Sequence, residues 1–205
     1  MLVLTPYQHQ GYGSYLLEVL NDVAVAEDVY DMTVEEPLDY FQHVRTCVDV
    51  SRLLVFDPIQ DAVISAVSRL KRGKLSKKIH IPWFMPPSSL IDDVRRSLKI
   101  TKTQFLKCWE VLIYLGLNPV DEFMEDFESA ISNRVENHLI LKRVIEVPSD
   151  YDQEMSFVMH RSRAGEGGIV QMCLNQTDLE EQLRQLVDER VEKIKLIARA
   201  LLSEE

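Results

Sequence analysis

Cysteine is scarce in this 205-residue chain: Cys47, Cys108 and Cys173 stand far apart and are odd in number. That argues against a disulfide-framed scaffold and a cysteine zinc site, and for free thiols in a reducing compartment. Glycine and proline are also few, 7 and 8 residues, which removes collagen-like and low-complexity classes. Long apolar runs are missing. Leu139-Ile140-Leu141 is typical of the interrupted stretches, far short of the ~20 residues that a membrane span needs, so no membrane partner is expected. Positive charge is short as well: 23 Lys and Arg against 33 Asp and Glu give a formal net charge of −10. Phosphate backbones need a cationic face, so direct nucleic-acid binding is disfavoured and a basic partner favoured. The opening residues lack the basic, apolar and cleavage regions of a signal peptide, and the expected address is the nucleus and cytoplasm. His9, His43, His80, His138 and His160 show no ligand spacing, so no metal is expected.

What is present is a globular composition, 46% apolar and 27% charged, with room for one core plus a smaller appendage. Met1-Leu2-Val3-Leu4-Thr5 is an apolar run stopped by Pro6 and reads as a buried strand. A chain that begins inside such a strand is expected to have lost, or never had, whatever preceded it. From Gly11 to about Glu27, apolar residues at Tyr15, Leu16, Val19, Leu20, Val23 and Ala24 follow the one-sided spacing of a helix packed on a sheet. Val29 to Val34 reads as a second strand, and Pro37 suits the first turn of a further helix with Tyr40, Phe41, Val44 and Val48 on its apolar side. Strand, glycine turn, helix and strand make a βαβ-type unit.

Beyond residue 58 the pattern is helical, with helices expected at 58–71, 88–98, 102–116 and about 119–145. The third is capped by Thr101 and ended by Gly116. Ile81 to Pro87 reads as a rigid, extended connector whose Trp83 and Phe84 lie against a core. The stretch 149–176 reads as a flexible linker. Leu179, Leu183, Leu186, Val191, Ile194, Ile197 and Leu201 then mark an amphipathic helix, packed back on the domain or paired with a partner helix. The expected fold class is α/β (α+β). Residues 1–57 form the α/β part, 58–147 a helical domain, 148–176 the linker and 177–205 the terminal helix.

The chemistry gathers at Gln8-His9-Gln10-Gly11-Tyr12-Gly13. Where a strand turns into a helix, the first backbone N–H groups have no intrahelical acceptor, and with the helix dipole they form a site for a diphosphate. Glycine at 11 and 13 lets an anion approach without a Cβ in the way. A P-loop would need Lys-Ser or Lys-Thr after the glycines, where this chain has Ser14-Tyr15. A dinucleotide-binding turn is the closer rival, because Glu35 and Glu36 end the next strand, but it needs a third glycine. A bare strand-to-helix turn is the alternative without any ligand.

The stretch from Leu4 to Glu18, followed by Asp31-Met32-Thr33-Val34-Glu35-Glu36-Pro37, resembles the catalytic region of the type B histone acetyltransferases, particularly plant members, within the GNAT acyl-CoA N-acyltransferase fold. The resemblance implies residues 1–57 as the C-terminal portion of that fold, with early strands absent, as in a truncated or alternatively started product. It implies acetyl-CoA as cosubstrate, its pantetheine arm along Met1, Leu2 and Val3. Its pyrophosphate would be held by Gln8, His9, Gln10, Gly11, Tyr12, Gly13 and Ser14. Glu35 is the implied general base, with Glu36 assisting. Core histones are the implied substrate, chiefly the H-four tail, and a WD-repeat histone chaperone the implied partner. A compromised fragment that serves only as a binding module for that chaperone is the alternative.

The chain also departs from the family. The polar residue that often follows the proline to help hold the cofactor is Leu38, and the basic residue near the end of that helix is supplied by Arg45. Cys47 occupies a position basic in some members and reads as a buried thiol, because direct transfer needs no nucleophile. The basic run from Arg69 to Lys78 reads as a solvated loop, a nuclear-localisation signal or a contact to the ribose phosphate. The acidic run Asp121, Glu122, Glu125, Asp126 and Glu128 reads as a solvated helix face or a contact to a lysine-rich tail.

Overall fold

The computed structural model describes residues 7, 8, 10–72, 85–117, 121–146 and 176–203. The first strand at 1–5, the connector at 81–84, the basic run past Arg72 and the linker at 149–175 lie outside the described residues. So do Met1, Leu2, Val3, His9 and Cys173.

Seven helices are found among the described residues: α1 Tyr12–Ala26, α2 Asp39–Leu54, α3 Asp57–Arg72, α4 Ser88–Leu98, α5 Lys102–Leu117, α6 Asp121–Glu146 and α7 Gln176–Leu202. Helix α5 is apolar all round, as a helix surrounded by others must be. Phe105, Cys108, Trp109, Val111, Leu112, Ile113 and Leu117 on it are all buried, and α2, α3, α4 and α7 pack against it. One hydrophobic cluster joins these to Val50 and Leu53 of α2, Ile59 and Leu70 of α3, Leu90 and Val94 of α4, Phe127 and Ile131 of α6, and Val191, Ile194 and Ile197 of α7. Each such side chain contributes about 1.5–3 kcal/mol on leaving water, so the bundle carries its own core.

Helix bounds follow the sequence periodicity closely, and Thr101 caps α5 as expected, its Oγ1 accepting from the Gln104 N–H at 3.3 Å. Gly116 does not stop α5, which runs on to Leu117. A Cβ there would meet Val67 Cγ2 at 3.0 Å and Val63 Cγ1 at 3.1 Å, so this glycine lets α3 and α5 approach closely. Pro37 lies outside the first turn of α2, whose N-cap is Leu38.

Two expectations are corrected. The apolar face read on α1 is mostly exposed: Tyr15, Leu16, Val19, Leu20 and Val23 face outward, and Leu17, Asn21 and Ala24 are the buried residues. Among the described residues the helix meets α2 and α4. The strand read at 29–34 is also not formed. A strand needs a neighbour to take up its backbone N–H and C=O groups, and the pairing found here is a single parallel bridge, Met32 to Ile100. The described residues are thus mostly helical, and only the helical part of the α/β reading is met.

Candidate functional site

The glycine turn opens α1. Gly11 is its N-cap at φ 81°, a left-handed conformation that costs glycine little and most residues about 1–2 kcal/mol. The first intrahelical bond runs from the Tyr15 N–H to the Gly11 carbonyl at 3.0 Å. The N–H groups of Tyr12, Gly13 and Ser14 therefore have no intrahelical acceptor. No side chain caps this end and no acidic residue lies in the first turn, which leaves its positive potential for an anion. Gln8, Gln10, Gly11 and Tyr12 are exposed, and Gly13 and Ser14 half-buried. The Tyr7 and Tyr12 rings meet edge to face with centroids 6.1 Å apart, a pairing the sequence pattern did not signal.

Glu35 and Glu36 sit in an exposed bend between α1 and α2. Glu36 takes φ 43°, unusual for a residue with a side chain and placed directly before Pro37. Leu38 is largely exposed, at 78%.

The chain leading to that bend is tied down at several points. The Asp28 carboxylate accepts from Lys99 Nζ, which holds the Asp28 carboxyl below its usual range, chiefly through that hydrogen bond. Asp28 and Lys99 both have positive φ, 46° and 59°. The Arg95 guanidinium lies 4.4 Å over the Tyr30 ring. The Met32 N–H donates to the Lys99 carbonyl at 3.0 Å, and the Met32 carbonyl accepts from Arg45 Nη2 at 2.6 Å.

Arg45 is 6% exposed and belongs to a buried polar cluster between α2 and α5. Asp49 lies at its centre, 3.6 Å from Arg45 Nε and 3.6 Å from Arg52 Nη1. At that length these are charge contacts and not hydrogen bonds, and both nitrogens are buried without a hydrogen-bond partner among the described residues. Gln104 Nε2 donates to Asp49 at 3.0 Å, and Gln42 Nε2 donates to Gln104 Oε1 at 2.7 Å. Arg52 Nη2 donates to the Leu98 carbonyl at 3.0 Å. Burial pushes the Asp49 carboxyl up, partly offset by Arg45, Gln104 and Arg52.

The structure thus brings Arg45 against the Met32 carbonyl, while Glu35 and Glu36 make none of the hydrogen bonds or ion pairs found among the described residues. Asp49, Arg52 and Gln104 were missed by sequence reasoning. The spacing of Arg45, Asp49 and Arg52 places these three charges on one side of α2, where they read as an ordinary solvated helix face, so their burial had no local signal. A cleft of about 540 Å3 lies between α3 and α4, lined by Pro58, Arg69, Met85 and Asp93 among others, and none of the expected site residues borders it. Among the described residues no cluster suited to a metal ion is found, and no helix is long and apolar enough to cross a membrane.

No family model matches the chain, and no solved structure matches it. Among curated proteins it is similar to the histone acetyltransferase type B catalytic subunit of Arabidopsis thaliana, 52% identical over 97% of this chain and 44% of that protein. The like-named Zea mays subunit is 38% identical over 99% of this chain and 46% of its own length. In Cryptococcus neoformans the like-named protein is 29% identical over 57% of this chain. The chain spans less than half the length of the two plant relatives. Over nearly all of its own length, then, the chain is a homologue of the catalytic subunits of type B histone acetyltransferases.

Proposed function

We propose that this chain takes part in acetyl transfer from acetyl-CoA to lysine side chains of newly made histones, chiefly the H-four tail, in the nucleus and cytoplasm. The observation that carries this reading is 52% identity to a type B catalytic subunit over 97% of the chain, a span that takes in the glycine turn and the Glu35 segment. On this reading residues 1–57 are the C-terminal portion of a GNAT fold, 58–147 a helical domain, 148–176 a linker and 177–205 a terminal helix. The uncapped first turn of α1 suits the pyrophosphate of acetyl-CoA, held by the main chain from Gln8 to Ser14, with His9 in that stretch and Met1, Leu2 and Val3 along the pantetheine arm.

The substrate lysine supplies the chemical requirement. Its reference pKa is about 10.4, so at neutral pH the amine is protonated and cannot attack a thioester until a base takes the proton. Glu35, on an exposed bend, is the proposed base, with Glu36 beside it. The freed amine attacks the thioester carbonyl to form the C–N bond, the tetrahedral intermediate breaks the C–S bond and expels coenzyme A as thiolate, and the second proton, lost by the attacking nitrogen, goes to the sulfur. No protein nucleophile and no metal is called for.

A second reading is favoured by one observation: the bundle has a core of its own, while the apolar face of α1 is exposed. On that reading the helical part is a binding module for a WD-repeat histone chaperone and the chain is catalytically compromised. Calorimetric titration with acetyl-CoA, followed by transfer assays on a histone tail peptide, separates the two. Binding with turnover supports the enzyme, and binding without turnover leaves the module. No binding refutes the cradle at the glycine turn.

A further inference from the structure

The buried cluster around Asp49 has a direction. Its two arginines face one carboxylate, yet each spends its hydrogen-bonding fork elsewhere. Arg45 reaches the Met32 carbonyl at 2.6 Å and Arg52 the Leu98 carbonyl at 3.0 Å. Met32 and Ile100 are the two sides of a parallel bridge that joins the Glu35-bearing segment to the α4–α5 corner. One arginine thus grips each strand of backbone that enters that bridge, and Asp49 holds both from behind. Gln104, donating to Asp49 at 3.0 Å, ties the assembly to α5, the centre of the core.

We infer that Arg45, Asp49 and Arg52 form a clamp that fixes the segment carrying Glu35 to the helical bundle, with Arg45 as the positioning residue. This rests on the reading of Glu35 as the base. It assigns Arg45 a role different from the cofactor contact that the family resemblance implies. Arg45 is 6% exposed, and swinging its guanidinium toward a phosphate would leave the Met32 carbonyl without this donor and a carboxylate that is 2% exposed with one arginine in place of two. Two buried contacts would be given up to satisfy one phosphate. The bend itself has a left-handed residue at Glu36, φ 43°, a conformation that persists only where the surroundings hold it. Within the anchored stretch from Asp28 to Met32, Lys99 holds Asp28 and Arg95 covers Tyr30, and the clamp supplies the hold at Met32, three residues before Glu35.

The test uses the full chain and three variants, with two readouts. Arg45→Gln removes the fork, Arg45→Lys keeps a cation beside Asp49 while losing the fork, and Arg134→Gln removes an arginine of α6 that pairs with the buried Glu110 of α5 at 2.6 Å. Amide exchange is read at Met32, whose N–H donates to Lys99, and along α5. Acetyl transfer and acetyl-CoA affinity are measured in parallel. Both Arg45 variants are expected to speed exchange at Met32 by about tenfold or more relative to α5. They are expected to lower kcat by about 100-fold, the scale of a 1 Å misplacement, while acetyl-CoA affinity changes by less than about twofold. Arg134→Gln, which loosens α5 at Glu110 and Leu106, is expected to speed exchange along α5 relative to Met32, the opposite of the Arg45 variants.

An unchanged Met32 amide with weakened acetyl-CoA binding would overturn the clamp and return Arg45 to the cofactor. Equal acceleration at Met32 and along α5 would reduce Arg45 to an ordinary core residue and also overturn it. If the unmodified chain transfers no acetyl group, the Glu35 reading fails, and the exchange and affinity results still decide the clamp.

Discussion

Two carboxylates are buried among the described residues and each faces two arginines, yet they are used differently. Glu110 of α5 meets Arg134 of α6 and Arg190 of α7 at 2.6 Å each. The bonds are direct, and they lock three helices together. Asp49 of α2 faces Arg45 and Arg52 at 3.6 Å, while both arginines direct their donors to backbone carbonyls near the glutamate bend. The first cluster stays within the core, where Arg134 also donates to the Leu106 carbonyl of α5 at 3.0 Å, and the second reaches the segment that leads to Glu35. A buried charge is costly in water-poor surroundings unless paired, so the difference lies in what each pairing does.

The largest effect that sharpens this contrast is expected at Glu110. Glu110→Ala leaves two part-buried arginines without their shared carboxylate and should cost about 3 kcal/mol in urea denaturation, the lower end of the range for breaking a buried pair, since both arginines keep some exposure. A loss below about 1 kcal/mol would mean that the cluster is solvated.

The glycine turn comes next, and its two glycines should differ in sign. Gly11 stands at φ 81° with nothing within 4 Å of where a Cβ would be, so Gly11→Ala should destabilise by about 1 kcal/mol through the backbone alone. Gly13 lies inside α1, where Gly13→Ala should stabilise the free protein by up to about 1 kcal/mol. Both should weaken acetyl-CoA binding. A Gly13→Ala protein that is more stable and binds acetyl-CoA as before would break the link between that glycine and the ligand.

Asp49→Asn is expected to be milder than Glu110→Ala, about 1 kcal/mol, because it keeps the shape and an acceptor for Gln104 and removes a desolvated charge. A loss as large as that at Glu110 would erase the contrast.

The smallest effect is in pH dependence. Burial raises the Asp49 carboxyl above its ordinary 3.8, so across the window from 3.8 up to the raised value the folded state binds more protons than the unfolded. The stability contributed by Asp49 is therefore highest below 3.8 and declines as pH rises through that window, then levels off above it. Asp49→Asn should remove that decline, so its denaturation midpoint should climb more steeply with pH there than that of the unmodified chain. Parallel curves would mean that Asp49 is not the buried carboxylate described.

How much of this could be read beforehand divides along the same line. Helix α4 falls at Ser88–Leu98, where the spacing placed it, and α3, α5 and α6 lie within a residue or two of their expected bounds. Periodicity and turn residues are local properties and survive packing. Properties that depend on a neighbour were not legible. The apolar face of α1 was assigned to a sheet, but which face of a helix is buried depends on what stands opposite. The strand at 29–34 has the right residues and a single bridge, because strand propensity without paired backbone makes no strand. Gly116 looked like a stop signal and proved to be a point of close helix approach. The cluster of Arg45, Asp49 and Arg52 looked like polar helix positions. Nothing in their spacing says that Gln104, 55 residues beyond Asp49, completes it. The turn into α1 was legible because its left-handed N-cap at Gly11 favours glycine. A clamp built from side chains on different helices has no such signature.

The central claim is that Glu35 takes the proton from the substrate lysine at a site whose cofactor is held by the glycine turn. The most direct measurement compares Glu35→Gln with the unmodified chain in acetyl transfer to a histone tail peptide, with acetyl-CoA affinity measured on both. Loss of a general base predicts a fall in kcat of about 100-fold or more with affinity unchanged. Turnover that survives Glu35→Gln intact would contradict the account and move the base to Glu36 or to a group outside this segment.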